Sequence, residues 1–135
     1  MHATYQPSDS PTPIHVELDT INDFQHLWQS TQTGRPGGLN PAIELTDAAA
    51  TTLLFARAGD TVALMIADDD HSYHWIDPTR TPQDPAVVEF SYRGAHTEVP
   101  CHTTTSPDQA QAIVDTYWHA GFTQALAQGH WEQDW

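Results

Sequence analysis

The chain has 135 residues, enough for one domain of ordinary size and too few for a second core. Eighteen Asp and Glu against four Arg and no Lys give a formal charge of −14. Such a surface repels phosphate backbones and anionic lipid and attracts a cationic protein, so nucleic acid and membrane are disfavoured as partners.

Residues 1–13 are polar and carry Pro7, Pro11 and Pro13, which predicts a flexible leader ahead of a single domain over residues 14–135. The opening residues show neither the basic segment nor the apolar run of a secretion signal, and no stretch approaches the ~18 apolar residues of a membrane span. Cys101 is the only cysteine, which rules out an intrachain disulfide and a thiolate metal cluster. A reducing cytoplasm is the expected location.

Ile14–Leu18 alternates apolar and polar residues and reads as a half-buried strand. Thr20 can cap a helix over 21–31 that places Ile21, Phe24, Leu27 and Trp28 on one stripe, and Gly34–Gly38 breaks it. Short strands follow at about 42–46, 51–57, 61–67, 72–76, 86–93 and 96–101, with turn signals at Ala58-Gly59-Asp60 and Arg93-Gly94-Ala95. An antiparallel meander is expected. In it Leu53, Phe55, Val62, Leu64, Ile66, Val88, Phe90 and Tyr92 line the core face, and Ala63, Met65, Glu89, Ser91 and Arg93 the open face.

Ser106 caps a second helix over 107–120, with Pro107 at its first position and Gln109 placed to close a capping box. Ala110, Ile113, Val114 and Tyr117 form its apolar stripe, and Gly121 ends it. A partial turn over Phe122–Gln128 and a short final strand over His130–Trp135 complete the chain. The expected class is α+β: an antiparallel sheet of six or seven strands with two main helices packed on one face.

Asp68-Asp69-Asp70-His71-Ser72-Tyr73-His74 concentrates carboxylates and imidazoles in one hairpin. A small metal-dependent enzyme could use His71, His74 and the neighbouring carboxylates. The glycine and distal glutamate of a calcium loop are absent, however, as is the four-residue His spacing of a helical zinc site. The other readings are a solvated acidic turn and a contact loop that receives Arg or Lys in charge-assisted bonds. Cys101 and His102 are sequence neighbours, and on a strand neighbours point to opposite sides, which argues against a thiolate–imidazole pair. The sequence has no nucleophile elbow, phosphate loop, dinucleotide fingerprint or deaminase zinc signature, so no catalytic, metal or cofactor residue is assigned. Trp28 and Trp118 read mainly as packing; Trp75, Trp131 and Trp135 are open to packing or contact.

The C-terminal half carries Tyr92 and Gly94 in a Tyr-x-Gly turn, Glu98 and Pro100 in the next strand, Gly121 closing a helix, and Trp131 in a terminal strand. In these landmarks it resembles the Imm-one family of immunity proteins from bacterial polymorphic toxin systems, over roughly residues 42–135. The resemblance implies a cytoplasmic antidote encoded beside a secreted toxin; joined to the −14 charge, it leads to the expectation of a non-enzymatic inhibitor that binds a cognate basic toxin domain one to one and covers its active site. The toxin would be a nucleic-acid deaminase or nuclease. The expected interface is Asp68, Asp69, Asp70, Trp75 and Asp77, with Glu89, Ser91 and Arg93 as second choice. An acidic adaptor without a toxin partner is a further reading that the sequence does not separate.

Overall fold

In the computed structural model, residues 1–7, 9–32, 39–79 and 86–134 are described, so the Gly34–Gly38 break, Arg35, Arg80 and Trp135 lie outside the described residues. The strands are β1 (His2–Tyr5), β2 (Ile14–Glu17), β3 (Ile43–Thr46), β4 (Thr52–Ala58), β5 (Thr61–Ala67), β6 (Ser72–Trp75), β7 (Val87–Tyr92), β8 (Ala95–Pro100), β9 (Thr104–Thr105) and β10 (Trp131–Gln133). The helices are α1 (Ile21–Thr31), α2 (Pro107–Ala120) and α3 (Phe122–Gln128). Seven strands form an antiparallel sheet in the order β10-β6-β5-β4-β3-β1-β2, and the two-residue β9 adds against β5. The class is α+β.

Both main helices begin where the capping chemistry places them. Thr20 accepts from the Asp23 amide while the Asp23 carboxylate accepts from the Thr20 amide, and Ser106 accepts from the Gln109 amide ahead of Pro107. Those backbone bonds hold the Asp23 carboxyl below its ordinary pKa. The segment after Gly121 winds into α3, where a partial turn was expected; its Ala125 is fully buried in the core.

The helices share one face of the sheet. Phe24 meets Phe55 edge to face with ring centres 5.2 Å apart, and Ala110, Ile113, Val114 and Tyr117 of α2 pack with Leu45, Leu53, Val62, Leu64 and Ile66. Trp28 and Trp118 are partly buried against this cluster, as their helical positions suggest. Tyr117 Oη donates to the Thr51 carbonyl at 2.8 Å and lies 3.0 Å from the Thr51 hydroxyl, and burial pushes the phenol pKa up to about 12. A pKa raised by folding stabilises the fold fully below the unfolded value near 10, and that contribution is lost as pH rises through 12. Tyr117→Phe removes the hydroxyl that bonds Thr51 and should cost about 1–2 kcal/mol in urea unfolding at pH 7. It should also shrink the loss of stability between pH 10 and 12; an unchanged alkaline transition would contradict this.

Two expectations are corrected. Residues 1–13 are not a free leader along their whole length, because His2–Tyr5 lies inside the sheet, paired with β2 on one side and β3 on the other. Met1, Ala3 and Tyr5 alternate with polar residues, and Ala3 is fully buried. The second correction concerns β7 and β8, which do not extend the meander. β10 takes the edge of β6 where β7 would have paired, and β7–β8 forms its own two-stranded sheet. That hairpin covers the sheet face turned away from the helices. Phe90 therefore packs with Ala42, Leu54, Ala56 and Ala63, not with Phe55 and Leu64, and Tyr92 and Val99 pack beside it. The hairpin is tied down by the Ser91 amide on the Asn40 carbonyl (2.9 Å) and the Ala42 amide on the Ser91 carbonyl (2.7 Å). Its turn uses positive φ at Arg93 and Gly94, the conformation in which glycine carries no steric cost.

Candidate functional site: an acid-edged cleft

Strand periodicity decides which side chains face the hairpin layer. Met65 pairs with His74 across β5 and β6, and Glu132 pairs with His74 across β6 and β10. Trp75 and Tyr73 point to the helix side, where Trp75 meets Trp131 edge to face at 5.5 Å and Tyr73 lies near Phe122. Because β7–β8 covers only part of the other face, a cleft of about 450 Å³ remains beside it. Leu54, Ala63 and Met65 line it from the sheet, Phe90, Val99 and Pro100 from the hairpin, and His74, His102 and Asp134 add polar groups. Met65 is 38% exposed there, and with Ile14 and Val87 it is one of three large apolar side chains exposed among the described residues.

A second cleft of about 270 Å³ shares Leu54 and Met65 and is edged by Glu44, Asp68, Tyr92 and Arg93. Glu44 accepts from the Tyr92 hydroxyl at 2.8 Å and from Arg93 Nη2 at 3.1 Å, and the Arg93 guanidinium lies 5.1 Å from the Tyr92 ring centre. Burial, then the Glu44 carboxylate, pushes the Tyr92 hydroxyl pKa up; the Glu44 charge does the same for Arg93. Arg93 is thus held by its own chain. Asp134 bonds His74 Nδ1 through one oxygen and the Ser72 hydroxyl (3.2 Å) through the other, and its amide donates to the Ser72 carbonyl at 2.8 Å. These bonds fix the carboxylate at the cleft edge while leaving acceptor capacity free. His102 contributes a buried Nδ1 that has no partner among the described residues.

The expected interface residues do not form one patch. Asp69 and Asp70 are exposed at the β5–β6 turn. Asp68 accepts from the amides of Asp70 (2.9 Å) and His71 (2.7 Å), bonds that lower its pKa and commit it to shaping the turn. Asp77 lies past the opposite end of β6, accepting from the Thr79 amide and hydroxyl. Glu89 is exposed on the outer face of β7–β8 near His96. Trp75 is 2% exposed and Ser91 1%, so neither presents a side chain to a partner, and both are corrected to buried positions. Trp75 closes the core under Gly129, where an added Cβ would come within 2.7 Å of its ring. Ser91 lies under the Asn40–Ala42 segment that bonds its backbone.

The imidazoles of the metal reading are separated. The His71 ring leans towards Tyr73 while His74 lines the cleft on the other face. Among the described residues, three ligand-type atoms within 4.8 Å of one another occur at Glu89, His96 and Glu98, all exposed. Cys101 is buried in the 3-10 turn Cys101–Thr103, which places it off the strand expected to hold it.

The cleft itself was not assembled from the sequence. Period-two alternation places Met65 on the open face, but Asp134 reaches His74 only through the pairing of β10 with β6. No protein-family model matches the chain, and a search of curated proteins finds no match either. Among the described residues, no helix is long and apolar enough to cross a membrane.

Proposed function

We propose that this chain is an immunity-type inhibitor that works in the cytoplasm. It binds a basic secreted toxin domain one to one and occludes its active site, with no bond made or broken by the chain itself. The observation that supports this reading most is the joining of a −14 charge to an apolar cleft bordered by the carboxylates of Glu44, Asp68 and Asp134. A toxin that acts on nucleic acid, as a deaminase or nuclease, needs a cationic substrate groove, and a polyanionic protein can fill such a groove in place of phosphate. Long-range attraction raises the association rate, and apolar contacts set the lifetime of the complex. The resemblance to the Imm-one family points the same way.

The test is to mix the purified chain with the C-terminal domain encoded by the reading frame directly upstream. A complex of one copy each, in which the domain loses its activity on nucleic acid, is the expected result. An upstream product that is not basic, or that stays active and unbound, would overturn the proposal.

A further inference from the structure

We infer that the cleft between hairpin β7–β8 and strands β5, β6 and β10 receives an extended segment of the partner in which an arginine and a large apolar residue stand two positions apart, so that both side chains fall on the face turned to the cleft. This rests on the reading of the chain as a binder of basic protein and assigns the place where the partner is anchored.

Two kinds of complementarity favour that occupant. The floor at Leu54, Met65 and Phe90 is apolar, and the 38% exposure of Met65 leaves an area that gains by being covered. Asp134 stands at the edge of this cleft, and the neighbouring one that shares Leu54 and Met65 adds Glu44 and Asp68 against one guanidinium, Arg93, which Glu44 already holds. An arginine suits this arrangement better than a purely apolar or purely charged group. Its aliphatic stem can lie along Met65 while its planar head reaches the Asp134 carboxylate, which His74 and Ser72 keep in place. A volume of about 450 Å³ accommodates such a side chain together with an apolar one two positions away on the same face.

The probe is a blocked peptide in which leucine and arginine take turns at every second position with threonine between them, so that both lie on one face when extended, titrated into the chain labelled with nitrogen-15. Amide shifts should concentrate and saturate at Met65, His74, Phe90, Val99 and His102. Peptides with glutamate replacing arginine, or serine replacing leucine, should shift them far less. Met65→Ser, at a partly exposed position, should weaken binding about tenfold, the scale expected for losing one apolar contact. Asp134→Asn should weaken it as well with the Met65 floor intact. Shifts scattered over Glu17, Asp108 and other surface carboxylates, or none, would overturn the assignment. With the upstream-encoded domain, a complex unaffected by Met65→Ser would overturn the cleft while leaving the proposed function standing. Absence of any complex would overturn the proposed function, and the peptide titration would still decide the cleft.

Discussion

Trp75→Ala should lower the free energy of unfolding by about 3–5 kcal/mol, the range for removing a buried aromatic and leaving its cavity. The ring is 2% exposed, packs edge to face with Trp131 and His130, and lies against Gly129. Few neighbours can collapse into the space because β10 and the end of α3 meet there, so loss of the ring also loosens the edge strand that carries Asp134 to His74. Urea unfolding followed by circular dichroism measures the effect. A change below about 1 kcal/mol, the scale of surface substitutions, would return Trp75 to the exterior and contradict the packing described here.

Neutralising the exposed turn carboxylates, Asp69→Asn with Asp70→Asn, should slow association with the basic partner about tenfold at low ionic strength. Steering fields of this kind change on-rates by ~10–10³ and are screened over ~8–10 Å at physiological salt. The difference from the unmodified chain should therefore vanish near ~0.5 M salt, where the screening length is only a few ångströms. Asp68 is left in place because its bonds to the Asp70 and His71 amides hold the turn, and changing it would mix charge with shape. Stopped-flow association across a salt series reads the effect. Equal rates at low salt would remove this turn from the approach path.

Much of the fold was legible because each local signal had one physical solution. Thr20 with Asp23, and Ser106 with Pro107, mark helix starts through capping, and the Gly59 and Gly94 turns mark hairpins through positive φ. What failed was non-local. Strand alternation in β7 correctly paired Val88 with Phe90, but alternation says only that two residues share a face, not which sheet that face meets. The choice was made by β10, which occupies the β6 edge and sends β7–β8 to the other side. β1 was hidden because three prolines nearby dominated the composition, although Met1, Ala3 and Tyr5 carried a strand pattern. The same non-locality hid the cleft: Asp134 is 60 residues from His74, and only sheet pairing brings them together. Trp75 sits on the short strand β6, whose pattern does not announce which face is covered, and Ser91 is covered by the Asn40–Ala42 segment, which is distant in sequence.

Calorimetric titration of this chain with the upstream-encoded domain, at low and at high salt, bears most directly on the idea that its negative surplus serves to meet a cationic protein. The account predicts a stoichiometry of one and an affinity that weakens steadily as salt rises. No heat of binding at low salt, or an affinity indifferent to salt, would contradict it.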